Sequence, residues 1–169
     1  MKITFACVSL YIDRDETIYA IPCGWDRVTQ KTVVGVSDVD LLFILKQPYT
    51  DDDIEAFLHN AIENCYKKER EPGPGALEKH FGFKSWVRAT RGLKYIYFSF
   101  VKKEGYRLRA SVKTPHRGYT MPQNNWIYMD LNPQKGELAV AFRKALAESK
   151  LDEPIPNPNP SERSKPKSK

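Results

Sequence analysis

The sequence lacks the features that mark membrane proteins and disulfide-rich proteins. No run of apolar residues approaches the roughly 18 that are needed to span a bilayer, and the alternating N-terminus, soon followed by charges, favours a β-strand over a signal peptide. The chain has three cysteines, Cys7, Cys23 and Cys65, and no two of them have the CxxC spacing. An odd number without this spacing argues against a disulfide framework or a zinc site. We therefore expect a cytoplasmic protein with no membrane association, whose cysteines are small buried or half-buried residues.

Catalytic signatures are missing as well. The sequence contains no G-x-S-x-G, no H-E-x-x-H, no P-loop and no Rossmann glycine pattern. Its histidines, His59, His80 and His116, show no spacing that would pair one of them with a cysteine nucleophile. The acidic run 51–53 cannot converge on one ion, because consecutive helical residues point about 100° apart. We therefore expect a protein that is not an enzyme and that uses no cofactor or metal.

One pattern occurs twice in the chain. Residues 41–65 and residues 125–149 each contain a short apolar run, a turn and an apolar stripe at the helical spacing i, i+3, i+4, i+7, i+8, i+11. Each stripe residue of the second segment lies 84 positions after its counterpart in the first. Two such stripes in one register indicate an internal duplication. The stripes are Ile54, Phe57, Leu58, Ala61, Ile62 and Cys65, and Leu138, Ala141, Phe142, Ala145, Leu146 and Ser149.

The segments around the stripes extend the repeat to four strands and one helix per copy. Thr50 as N-cap predicts a helix over 51–68, and Asn132 followed by Pro133 predicts the start of the second helix. Short turns within each copy predict antiparallel pairing. The result is an α+β fold, β4-α-β4-α, with two packed sheets. The predicted strands span 3–12, 17–21, 32–36 and 41–45 in the first copy and 85–90, 93–101, 106–112 and 126–129 in the second.

Composition separates a folded part from a tail. Residues 151–169 contain five prolines and almost nothing apolar, so we predict that they are disordered. Residues 1–150 are predicted to form a single domain of two pseudo-repeats, 1–68 and 77–150. A linker rich in proline and glycine joins the two copies.

Basic and acidic residues are distributed unevenly along the chain. The net charge of +6 conceals a net of −5 over residues 1–83, where 14 acidic side chains outnumber 9 basic ones. Over residues 84–118 the net is +9, because Glu104 is the single acidic residue among 10 basic ones. A chain divided in this way is expected to present one electronegative and one electropositive surface.

The basic strands of the second copy are the best candidates for a binding surface. Arg107 and Arg109 alternate on one predicted strand and therefore share a face, next to a strand that carries Lys94 and several aromatics. Arginine with exposed aromatics is typical of nucleic-acid-binding sheets and of protein interfaces, and it also fits a solvated outer face above an aromatic core. The candidate partner-binding residues are Arg88, Lys94, Arg107, Arg109, His116, Arg117 and Tyr119, and the alternative acidic face consists of Asp51, Asp52, Asp53, Glu55 and Glu63.

Over about residues 40–150 the chain resembles a known family. The step Lys84-Ser85-Trp86, the two basic strands after it, and a last helix with Glu137, Leu138, Ala145, Leu146 and Ser149 are similar to immunity proteins of bacterial contact-dependent growth inhibition systems, the CdiI type. Such proteins are small cytoplasmic binders without enzymatic activity. Each is made beside a toxin and neutralises it by sealing its C-terminal toxin domain, often a nuclease that acts on tRNA or DNA.

The duplicated layout also resembles Whirly-type domains, whose sheets bind single-stranded nucleic acid. The Lys-Gly-Lys-Ala motif of the plant Whirly proteins is absent here, so nucleic-acid binding does not follow from the layout. The resemblances imply an immunity protein with a toxin domain as partner. The alternative is a single-stranded nucleic-acid-binding domain that uses the basic, aromatic sheet. The sequence determines neither the oligomeric state nor which of the two charged faces contacts the partner.

Overall fold

The computed structural model describes residues 4–26, 35–115 and 118–151. Within them the fold is α+β, as the sequence predicts. The first copy contains β1 (Phe5–Ile12), β2 (Ile18–Asp26), β3 (Gly35–Asp38), β4 (Phe43–Leu45) and α1 (Asp51–Glu63). The rest contains α2 (Ala76–Phe81), α3 (Trp86–Ala89), β5 (Lys94–Val101), β6 (Gly105–Ala110), β7 (Val112–Thr114), β8 (Gly118–Thr120), β9 (Trp126–Met129), α4 (Glu137–Glu148) and β10 (Lys150–Leu151).

The two copies share one sheet. Two sheets are present, as expected, but the larger has seven strands in the order β3-β2-β1-β5-β6-β9, with β4 also paired to β2, and takes strands from both copies. Antiparallel pairs from Phe5↔Val101 to Ile12↔Lys94 join the copies at β1 and β5. Had each copy formed its own sheet, both long strands would have presented an unpaired edge. The order is symmetrical about this junction, since β4 pairs with β2 and β9 pairs with β6.

The second sheet is small and belongs to the second copy. It has three strands in the order β10-β7-β8. Its β10–β7 pair is parallel and its β7–β8 pair is antiparallel. This sheet carries Tyr119 and Lys113, which lie against the second core described below.

The main core lies between α1, α4 and one face of the seven-stranded sheet. Alternate residues of β1, β5 and β6 point into it, among them Leu10, Phe98 and Leu108, all fully buried. The predicted stripes supply the helical side of this core. Leu58 on α1 and Phe142 on α4, which are counterparts in the repeat, are both 0% exposed. The helical periodicity of both stripes is therefore confirmed.

A smaller core lies on the other face, over β1 and β2. Tyr11, Tyr19 and Ile21 pack there against residues of α2 and α3, including Leu77 and Ala89. These short helices cover only this part of the face. No described helix is long and apolar enough to cross a membrane.

The predicted N-cap is correct for α1 and wrong for α4. Thr50 is the N-cap of α1 and forms a capping box with Asp53. The predicted cap Asn132 with Pro133 at the first position is wrong, because α4 begins at Glu137 with Gly136, at φ +90°, before it. The Glu137 carboxylate instead accepts a bond from the backbone N–H of Gln134 at 2.9 Å.

Three other expectations are corrected. The helix predicted over 51–68 ends at Glu63, because the chain then turns so that Tyr66 N–H donates to Cys23 O at 2.8 Å. The strand predicted at 85–90 is the helix α3, closed by the Thr90 hydroxyl donating to Trp86 O at 2.9 Å. The strand predicted at 106–112 breaks at Ser111, whose hydroxyl donates to the carbonyl of another strand.

Two sequence predictions fall partly outside the described residues. The strand predicted at 32–36 overlaps the segment 27–34, and the structure begins β3 at Gly35. Of the tail predicted to be disordered, 151–169, only Leu151 is among the described residues. Leu151 lies in β10 and pairs with Lys113 of β7. The domain boundaries 1–150 and the pseudo-repeats 1–68 and 77–150 stay predictions.

Candidate functional site

Arg107 and Arg109 project from β6 on the sheet face opposite α1 and α4. Leu108 between them is buried in the main core, so alternation places both arginines on the other side. Their partners across the β6–β9 pair are Tyr128 and Trp126. The guanidinium carbons of Arg107 and Arg109 lie 5.4 and 4.8 Å from the centre of the Trp126 ring. Both arginines therefore make cation–π contacts with one indole. We call this surface the open face; it consists of Tyr97, Arg107, Arg109, Trp126 and Tyr128, and the fully buried Ser99 lies on the same side of the sheet.

The aromatic residues of the open face come from two strands, β5 and β9, which flank β6. The ring centres of Tyr97 and Trp126 are 6.0 Å apart, and those of Trp126 and Tyr128 are 6.2 Å apart. Tyr128 is 64% exposed, an unusual exposure for a large aromatic side chain. Burial raises the pKa of Tyr97, so its hydroxyl stays protonated and can donate a hydrogen bond. Trp, Tyr and Arg are the residues that most often anchor protein interfaces.

Neutral groups hold Arg109 in place. Its Nε donates to Asn125 Oδ1 at 3.1 Å, and its Nη2 donates to Pro122 O at 2.8 Å and to Met121 O at 3.3 Å. The amide of Asn125 in turn donates to Ala110 O at 2.8 Å. Among the described residues no carboxylate pairs with Arg109. Its guanidinium is therefore ordered by hydrogen bonds to neutral groups of the described residues.

Arg107 keeps unused hydrogen-bonding capacity. Its Nη1 lies 3.5 Å from Glu104 Oε2, and the Glu104 side chain is 61% exposed. Its Nε is buried and has no partner among the described residues, and the same holds for the hydroxyl of Ser99. Ser99 lies directly opposite Arg107 on β5. A buried donor without a partner is unfavourable. Ser99 is fully buried, so an added acceptor can approach only Arg107, whose side chain is 22% exposed.

The structure does not bring Lys94 to the open face. Lys94 pairs with Ile12, a residue of the main core, and so lies on the helix side. Its Nζ donates to Leu146 O at 3.2 Å, near the C-terminal end of α4. Cations at this position stabilise the unpaired carbonyls of a helix end. The sequence pattern could not separate the faces for Lys94, because the register of β5 against β6 is a tertiary property.

The other candidates from the basic segment are dispersed. Tyr119 donates its hydroxyl to Leu93 O at 2.7 Å and packs against Tyr11 and Tyr95, so it belongs to the smaller core. Arg88 is exposed on α3, beside Val87, which is 63% exposed. His116 and Arg117 lie outside the described residues.

The acidic candidates mostly make contacts within the protein. Asp51 pairs with Arg143 on α4 at 2.7 Å, and Asp52 pairs with Lys135 at 2.9 Å. The backbone and hydroxyl of Thr50 donate to Asp53 and lower its pKa. Glu55 accepts from the backbone N–H of Leu138 at 3.1 Å. Glu63 is exposed. The acidic run thus caps α1 and connects it to the other helix.

Sequence reasoning missed Trp126 and Tyr128 as members of the surface. The signal was present in the segment WIYM, because Trp126 and Tyr128 alternate with Ile127 and Met129 at the period of a strand. Met129 is buried and Tyr128 is exposed, as such alternation predicts. The sequence predicts this strand, but only its pairing with β6 joins the two outward faces.

Of the three thiols, Cys7 lies next to the open face, opposite Ser99 on the neighbouring strand, whereas the acidic cavity lies beside α2. Cys7, Cys23 and Cys65 are free and are buried or half-buried, as expected. The backbone N–H of Cys7 donates to Cys23 Sγ at 3.2 Å, and Cys65 Sγ donates to Cys7 O at 3.3 Å. A cavity of about 300 Å³ beside α2 contains Asp38, which accepts from the Ser9 hydroxyl at 2.8 Å. Burial raises the pKa of Asp38 to about 7. The described residues include no group of three or more His, Cys, Asp or Glu that could hold a metal ion.

Comparisons with known proteins find similar structures but no similar sequence. No protein-family model matches the chain, and no curated protein matches it in sequence. A chain in the structure of a CdiA-CT/CdiI toxin and immunity complex from Yersinia pseudotuberculosis is similar, with a TM-score of 0.59 and 9% identity over 87% of this chain and 98% of that one. A protein of unknown function from Neisseria meningitidis is similar with a TM-score of 0.58 and 10% identity over 86% of this chain and 95% of that one. At these identities the likeness establishes a shared fold.

Proposed function

We propose that this protein is an immunity protein that binds and neutralises the C-terminal toxin domain of a cognate contact-dependent growth inhibition effector. The observation that carries the proposal is the shared fold with a chain of a CdiA-CT/CdiI toxin and immunity complex, which covers 87% of this chain. The motif resemblance of residues 40–150 to the CdiI type agrees with this role. We expect the toxin to be a nuclease, as that resemblance implies.

The open face has the properties that such a binder needs. Trp126 provides a large aromatic anchor between two guanidinium groups. Arg109 is already ordered by its hydrogen bonds, so binding costs little of its side-chain entropy. Neutralisation then requires only that the bound surfaces exclude the substrate of the toxin. The protein acts by binding and performs no reaction.

Protection of living cells tests this function. The toxin domain is expected to be encoded at the C-terminus of a large secreted protein in the adjacent upstream gene. Cells that express this chain should survive that domain and remain sensitive to an unrelated toxin domain. The purified pair should form a stable 1:1 or higher-order complex in size-exclusion chromatography. Failure to protect, together with no binding to the neighbouring toxin domain, would remove the proposal.

The alternative function is binding of single-stranded nucleic acid. The observation that favours it is the exposed Tyr128 and the half-buried Trp126 beside Arg107 and Arg109, because stacked bases and phosphates bind such a platform. Oligonucleotide affinity should then fall steeply with rising salt. It should also be lost in Arg107→Ala/Arg109→Ala. No measurable affinity at low salt would exclude this alternative.

A further inference from the structure

We propose that the open face receives an acidic segment of the toxin domain and that Arg107 forms the central ion pair of the complex. This inference rests on the proposed function and concerns the chemistry of the partner. An inhibitor that covers a phosphate-binding cleft needs an acidic surface, because such clefts are basic. The contacts of this protein favour the opposite polarity, in which the toxin is held through carboxylates outside such a cleft.

All the acidic candidates except Glu63 already make contacts within the protein. Asp51 and Asp52 form ion pairs with Arg143 and Lys135, at 2.7 and 2.9 Å. Binding a basic partner there would require these pairs to exchange. The exchange replaces existing contacts and offers little net gain. This surface is therefore a poor site for a basic toxin cleft.

The basic surface keeps its charge available. Arg109 is held by an amide and two carbonyl oxygens, and none of these neutralises it. Glu104 approaches Arg107 at 3.5 Å from an exposed position, which is a weak interaction in water. The exposed residues Lys102 and Lys103 precede Glu104 in the β5–β6 turn and add to the same field. Charges of one sign concentrated in this way raise the association rate of a partner with the opposite charge.

Arg107 is also the residue with most to gain from a carboxylate. A guanidinium binds a carboxylate through two parallel hydrogen bonds, a stronger arrangement than a single contact at 3.5 Å. The Trp126 ring packs beside Arg107 and would screen that ion pair from water once a partner covers it. In this arrangement Glu104 occupies the position of the partner's carboxylate in the free protein. The partner must displace it to bind.

Opposite substitutions at this ion pair test the inference. The probe is the purified C-terminal toxin domain encoded beside this chain, and the measurement is its association and dissociation rate across a range of salt concentrations. Arg107→Glu should slow association on the order of tenfold at low salt. Glu104→Gln removes the internal competitor and should speed association or slow dissociation, a gain that misfolding cannot produce. Arg107→Lys keeps the charge, so association should be unchanged while dissociation becomes faster.

Lys144→Glu is the matched control. Lys144 is exposed on α4, on the other side of the sheet, and the substitution makes the same change in net charge as Arg107→Glu. It should leave binding unchanged. The inference is overturned if Arg107→Glu and Glu104→Gln both bind as the unmodified chain does, or if Lys144→Glu weakens binding equally. In both cases the unmodified chain still binds and protects, so the proposed function stands. Loss of function as a whole would show as no binding by the unmodified chain.

Discussion

Replacing two fully buried counterparts of the stripes tests whether α1 and α4 contribute equally to one core. Leu58 and Phe142 are counterparts in the repeat, and both are 0% exposed. Phe142→Ala should lower the free energy of unfolding by about 3–5 kcal/mol and Leu58→Ala by about 2–5 kcal/mol, because each removes buried apolar surface and leaves a cavity. For a folded part of this size, each kcal/mol lowers the melting temperature by roughly 2–4 °C.

Urea unfolding followed by circular dichroism measures both effects. The midpoint should fall in both variants while the slope of the transition stays constant. Val140→Ala is the control, since Val140 lies on α4 beside this stripe but is 64% exposed. Its free energy of unfolding should change by no more than about 0.5 kcal/mol. A loss below about 1 kcal/mol in Phe142→Ala, or an equal loss in Val140→Ala, would refute the placement of the α4 stripe in the core.

Three further substitutions test local features. Asp38 has its pKa raised to about 7 by burial, so between about pH 4 and about pH 7 the folded chain holds a proton that the unfolded chain has lost. The free energy of unfolding should therefore fall as pH rises through this window, by at most about 4 kcal/mol since Asp38 is partly exposed, and Asp38→Asn should remove that slope in urea titrations. Thr50→Ala breaks the capping box and should lower the free energy of unfolding by about 0.5–2 kcal/mol in the same assay. A smaller loss would show that the cap contributes little. Gly105 has a φ of +91°, and Gly105→Ala places a methyl group against Met129 O in the backbone of β9. It should lower the free energy of unfolding more than Gly136→Ala, because Gly136 has a similar φ of +90° but nothing close to its Cβ position. Equal losses would contradict the close approach of the two backbones.

The acidic run 51–53 is compatible with several functions, and only its tertiary contacts distinguish between them. From the sequence, Asp51 and Asp52 could cap a helix or contact a partner. The cap is decided by local chemistry, and Thr50 with Asp53 confirms it. The contacts to Lys135 and Arg143 join residues more than 80 positions apart. No local pattern encodes such a distance, so the occupation of this surface became visible only in the packed helices.

Periodic patterns placed α1, α4, β5 and β9 correctly, because burying one face of a helix or a strand leaves a mark that recurs within a few residues. The same patterns identified the two apolar stripes and predicted that Arg107 and Arg109 share one face of a strand. They failed for residues 85–90, where a short apolar segment is compatible with a strand or a helical turn. They also failed for the start of α4, where a suitable cap residue was not used.

Tertiary structure decided how the copies meet and which side chains share a surface. Pairing β1 with β5 joins the strands of the two predicted copies into one sheet, since that pairing satisfies the backbone groups of both strands. The register of β5, β6 and β9 then moved Lys94 to the helix side and brought Trp126 to the arginines. A strand shows from its own residues which side chains alternate, but which face is covered depends on the elements that pack there. For this protein α1 and α4 cover one face, and the basic, aromatic residues on the other are left available to a partner.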